Sequence, residues 1–141
     1  MYVVAATEQD AGKQNRSIRS IAAVVQRKDN LTVSLTLANG LNSNIILPLG
    51  ERVRITGPTG AFSIGGFVPP LDQTGHADAT ILRLYNSAAF AMTLVNADAS
   101  STAANRILTL TGGNVVLRAG TSFATLSYDL TDARWMLEST N

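Results

Sequence analysis

The sequence predicts an all-β domain, a β-sandwich or jelly-roll-like barrel, preceded by an N-terminal arm. Three observations carry that prediction. From residue 31 onward, apolar residues alternate with polar ones in short runs, the period-two signature of half-buried strands. Clusters of Gly, Asn, Pro and Asp separate these runs at short intervals, as the turns of a sandwich or barrel require. Strands do not alternate with helical segments, which argues against a parallel α/β fold.

The elements follow in order. Leu31, Val33, Leu35 and Leu37 alternate with Thr32, Ser34 and Thr36. Asn39-Gly40 and Asn42-Ser43-Asn44 read as turns. Ile45-Ile46-Leu47 is a short strand closed by Pro48 and Gly50. Residues 52–56 alternate again and stop at Gly57-Pro58-Thr59-Gly60. Ala61 to Ile64 follow, and Gly65-Gly66 allows a bulge or a close backbone approach. Residues 68–79 form the longest connection, stiffened by Pro69-Pro70. Further strands are read at 81–85, 92–95, 107–110, 115–117, 123–128 and 134–137, with a small-residue loop at 98–105. About nine or ten strands result, with no fixed-period repeat.

Residues 1–30 differ from the β-domain at 31–141. They hold five of the eleven basic residues: Lys13, Arg16, Arg19, Arg27 and Lys28. Ile18, Ile21, Ala22 and Val25 fall on one face of a helix that Asn15 or Ser17 could cap. Val3, Val4, Val24 and Val25 favour an extended arm instead. Either form carries too few large apolar groups for a core of its own, so the segment reads as an arm that orders against a neighbour. Arg16, Ile18, Arg19, Ile21 and Val25 are its candidate partner-binding residues.

Composition narrows the function. Of 141 residues, 45% are hydrophobic and 15% charged, against ~25% charged in ordinary domains. Thr (15), Ser (11) and Asn (10) supply the polarity, which suits a β-protein packed against other chains. A net charge of +1 gives no global attraction to nucleic acid or a charged membrane. The arm's basic residues lack the aromatic interleaving of a nucleic-acid site. No apolar run approaches the ~18 residues of a membrane helix, and the N-terminus lacks the pattern of a secretion signal. Absence of cysteine excludes disulfides and thiolate metal sites.

One histidine makes most acid–base catalysis hard to build. His76 lies near Asp72 and Asp78, but their spacing matches no zinc or calcium site. No G-x-S-x-G occurs, and no pair of acids is marked for glycoside cleavage. Gly57-Pro58-Thr59-Gly60 and Gly112-Gly113 belong to no phosphate-binding fingerprint and read as turns. The expectation is a structural or binding protein without cofactor, not an enzyme. Trp135, the sole tryptophan, reads as a core anchor, with Asp129 and Asp132 placed to pair with Arg134.

Residues 55–137 carry a set of local patterns: Ile55-Thr56-Gly57-Pro58-Thr59 with residues 61–66, then 82–86 and 92–96, then Ser100 to Ile107 including Asn105 and Arg106. The end of the set is 115–117, then 124–129 with Tyr128 and Asp129, then Arg134-Trp135. Together they resemble a small β-module of tailed-bacteriophage structural proteins. Such modules occur in tail fibres, tailspikes, head fibres and capsid-decorating proteins, and are commonly trimeric. The resemblance implies a virion protein and a homo-oligomer, a trimer, whose partners are the major capsid protein or other virion proteins. Lacking coiled-coil heptads, the chain fits a capsid decoration (cement) protein better than a fibre with a shaft; a fibre or tail component for host adsorption is the alternative. The likeness does not reach residues 1–30.

Overall fold

A computed structural model describes residues 31–70 and 78–141. The arm residues Arg16, Ile18, Arg19, Ile21 and Val25, together with His76 and Asp72, lie outside the described residues.

Twelve strands and one 3₁₀ turn make up the described chain. The first three strands are β1 (Thr32–Thr36), β2 (Gly40–Asn42) and β3 (Ile45–Ile46); β4 (Arg52–Thr56), β5 (Phe62–Ile64) and β6 (Phe67–Val68) follow. Next come β7 (Ile81–Asn86), β8 (Met92–Leu94), the 3₁₀ turn Ala103–Asn105 and β9 (Ile107–Leu108). The last three are β10 (Val115–Leu117), β11 (Ser122–Asp129) and β12 (Arg134–Thr140). The all-β, multi-sheet, sandwich-like class read from the sequence is what the structure has.

The sense of pairing is the finding that alternation did not reveal. β1, β4 and β7 lie side by side in parallel, as do β2, β5 and β8, while β3 pairs in parallel with β6. The chain therefore winds: each of the first two turns contributes one strand to each sheet, the third contributes β7 and β8 to two of them, and each turn stacks beside the one before. Antiparallel strands close the far end, with β11 on β7, β12 on β11, and β10 on β8. The resulting sheets run β1-β4-β7-β11-β12-β9, β10-β8-β5-β2 and β3-β6.

Two sequence readings change. Gly40–Asn42, read as turn residues, form β2, held by parallel pairing to β5. Val68, placed at the start of the long connection, joins Phe67 in β6 on β3. In both cases a neighbouring turn supplies hydrogen bonds that local propensity does not report.

The core lies between the sheets. Val53, Ile55, Leu82, Leu84, Leu126, Trp135 and Leu137 point inward from the six-stranded sheet, meeting Phe62, Ile64, Met92 and Leu94 from the four-stranded one. Ile45 and Phe67 close the third side. In the first turn, Val33 and Leu35 are only partly buried, whereas their register partners Val53 and Ile55 are fully buried. That end carries no antiparallel cover among the described residues.

Trp135 is the central anchor. Its Nε1–H donates to the Phe67 carbonyl at 2.8 Å, and its ring meets Phe67 and Tyr128 edge-on at 6.1 and 5.3 Å. Gly65 and Gly66 permit the close approach their pairing suggested. A Cβ on Gly65 would overlap the Asp98 carboxylate, and one on Gly66 would overlap the Asn105 carbonyl.

Candidate interaction surface

Because side chains alternate across a strand, every inward residue of the six-stranded sheet fixes an outward neighbour. On β4 the outward positions include Arg52 and Arg54; on β7 they are Ile81, Arg83 and Tyr85; on β11 the first is Phe123. Register brings them together: Arg52 lies opposite Arg83, Arg54 opposite Tyr85, and Tyr85 opposite Phe123.

These side chains form one arginine–aromatic platform. The Tyr85 and Phe123 rings tilt against each other at 4.8 Å. The Arg54 guanidinium sits over Tyr85 at 5.1 Å and that of Arg52 over Phe123 at 6.0 Å, both within cation–π range. Arg83 pairs with Glu51. Three arginines against one carboxylate leave the platform positive. The rings reduce the freedom of the Arg52 and Arg54 side chains, so less entropy is lost when a partner binds.

The opposite corner of the same face is acidic. A shallow open groove there is lined by Asp78, Ile81, Ser127, Asp129, Met136 and Glu138, among others. Each acid has one local donor: Ser127 Oγ–H to Glu138 at 2.6 Å, the Leu130 N–H to Asp78 at 3.0 Å, and the Asp132 N–H to Asp129 at 2.9 Å. Among the described residues none of these carboxylates has a cationic partner; the sole ion pair is Arg83 with Glu51.

Apart from Asp129 and its register partner Arg134, the described residues singled out from the sequence sit elsewhere and hold the fold. Asn105 is buried and its amide donates to Asn44 Oδ1 at 2.8 Å. Arg106 Nε–H donates to the Ser101 carbonyl at 3.0 Å. The Tyr128 hydroxyl donates to the Ala104 carbonyl at 3.0 Å, and burial pushes its ionisation up against the lowering influence of Arg134. The expected pairing of Arg134 with Asp129 or Asp132 does not form: its Nη1 donates to the Ala133 carbonyl at 2.7 Å, and Asp129 caps the turn. The small-residue loop is a plug. Buried Asp98 is pushed up by desolvation, but hydrogen bonds from Ser100, Ser43 and Ser101 outweigh that and hold its carboxyl below the usual value.

Sequence reasoning passed over Arg52, Arg54, Arg83, Tyr85 and Phe123. A signal was present: from residue 31 to 141 every basic residue is arginine and none is lysine. Arginine and aromatic residues are enriched at protein interfaces, where lysine is depleted. Among the described residues no three His, Cys, Asp or Glu side chains gather as a metal site. An apolar crevice under Leu47, Pro48, Leu49 and Pro70 reaches toward Trp135, without convergent charged groups.

No protein-family model, curated protein or solved structure matches the chain.

Proposed function

We propose that this chain is a bacteriophage virion structural protein that binds the outer shell of the capsid as a homo-oligomer, a trimer, and stabilises it. The likeness of residues 55–137 to a tailed-phage module supports the virion setting. The observation that carries the homo-oligomer is the arginine–aromatic platform, held in register on one sheet. Its side chains are of the type that anchors protein interfaces. The action is mechanical and needs no cofactor. A protein that binds assembled subunits but not separated ones stabilises the assembly by mass action. Exposed apolar side chains outside the platform, among them Ile46, Leu41 and Val116, offer further area to bury. In this reading Arg16, Ile18, Arg19, Ile21 and Val25 contact the major capsid protein.

A second reading, a fibre or tail component for host adsorption, is favoured by the winding. Turns stacked in parallel are the way elongated proteins extend along an axis. Imaging of purified virions with this protein labelled separates the two. Label spread over the head supports decoration, and label confined to the tail or its tips supports the second reading. Virions without label contradict both.

A further inference from the structure

The outer face of the six-stranded sheet is bipolar. Its basic corner holds Arg52, Arg54 and Arg83 beside exposed Phe123. Its acidic corner holds Asp78, Asp129 and Glu138 around half-exposed Ile81, with Asp132 on the adjoining turn; against these four acids stands Arg134, the register partner of Asp129, whose Nη1 donates to the Ala133 carbonyl. Phe123 and Asp129 lie on one strand, so the corners are about 20 Å apart at ~3.3 Å per residue. Among the described residues, neither Arg52 nor Arg54 has a carboxylate partner, and no acid of the opposite corner has a cation.

We infer that this face is the contact between copies of the chain, the arginine–aromatic corner of one copy seating on the acidic groove of the next. The inference rests on the homo-oligomer reading and adds which surface makes it. Charge complementarity selects the occupant. A second copy brings the sign that is in deficit at each corner, and brings it to both corners at once. Three copies in a head-to-tail ring satisfy both corners of every copy. The apolar members, Phe123 on one side and Ile81 and Met136 on the other, supply area that excludes water around the charges. Complementary charge fixes orientation and rejects like-on-like contacts.

The test is a charge swap read by sedimentation velocity on the full chain at low and moderate salt. Wild type is expected to self-associate, less tightly as salt rises. Arg52→Glu with Arg54→Glu should weaken association at least about tenfold, and so should Glu138→Lys with Asp132→Lys, because each sets like charges together. A chain carrying all four changes should recover association to within about threefold of wild type, since the complement is restored with signs exchanged. Mixing the two double variants should yield mixed species joined by unlike pairs, even where the fourfold variant does not fold; a ring of three keeps one like-charge contact, so recovery is partial. Reversed variants that associate as tightly as wild type would overturn the inference while leaving the oligomer reading standing. So would loss in both double variants, shown by circular dichroism to be folded, with no rescue by mixing. A monomeric wild type would overturn the oligomer reading itself.

Discussion

The two faces of the six-stranded sheet are built from the same strands and do opposite work. On the inner face Val53, Ile55, Leu82, Leu84, Leu126, Trp135 and Leu137 are almost wholly removed from water. One residue along each strand, the outer face shows Arg52, Arg54, Arg83, Tyr85 and Phe123. Inner positions lose stability when truncated, because apolar contact is forfeited and a cavity is left. Outer positions lose little stability, because their charges stay solvated in the isolated chain. The fold is thus held on one side of the sheet and the proposed docking on the other. A substitution that moved both together would break the division.

The largest effect is expected at Trp135. Trp135→Ala should cost about 3–5 kcal/mol, removing the ring that joins β6, β11 and β12 and the bond to the Phe67 carbonyl. Denaturant unfolding measures it; a cost below about 1 kcal/mol would place the ring outside the cooperative core.

A matched pair sharpens the comparison within the inner face. Leu35 and Ile55 are register partners, one partly buried and one fully buried. Ile55→Ala should cost about 2–5 kcal/mol and Leu35→Ala roughly half as much or less, by the same unfolding measurement. Equal costs would mean that the first turn is covered as well as the second.

Asn86 is a polar residue on the inner face, fully buried. Its amide donates to the carbonyls of Phe90 and Arg118, both at 2.9 Å, and its Oδ1 accepts from the Ala88 N–H at 3.1 Å. Asn86→Ala strands three backbone groups and should cost about 1–3 kcal/mol. Asn86→Asp should not restore it, since a carboxylate cannot donate to the two carbonyls.

Asp98 gives a pH dependence. Its carboxyl ionises below the usual value in the folded chain, so it adds stability that is present above its unfolded value of 3.8 and is lost as pH falls through the folded one. Thermal unfolding from neutral pH to below pH ~4 should show a wild-type decline. In Asp98→Asn part of that slope should be missing. Parallel curves would show that the serine cluster does not favour the ionised form. On the outer face, Arg54→Ala should change stability by no more than about 0.5 kcal/mol, yet weaken self-association.

Much of the β-domain was legible because its signal is local. Val33–Leu35, Val53–Ile55 and Leu82–Leu84 alternate with polar residues, and a period of two places them on one face of a strand whatever its partner. Which strand lies beside which was not legible. The register offset is 20 residues between β1 and β4 but 31 between β4 and β7, so the turns leave no fixed period. β2 escaped notice because Gly40-Leu41-Asn42 looks like a turn until β5 lies alongside it. Asn105, Arg106, Tyr128 and Trp135 stood out as motif residues, and the structure uses each for a contact inside the fold. The platform was missed for a different reason. An arginine at every second position looks like an ordinary solvated face until register puts three strands' outward residues side by side.

Sedimentation equilibrium of the full chain tests the central claim most directly. Expected is a mass that is a whole multiple of 14.9 kDa, threefold for the trimer, falling toward the single-chain value in Arg52→Glu with Arg54→Glu. A wild-type mass of 14.9 kDa across a wide concentration range would contradict it.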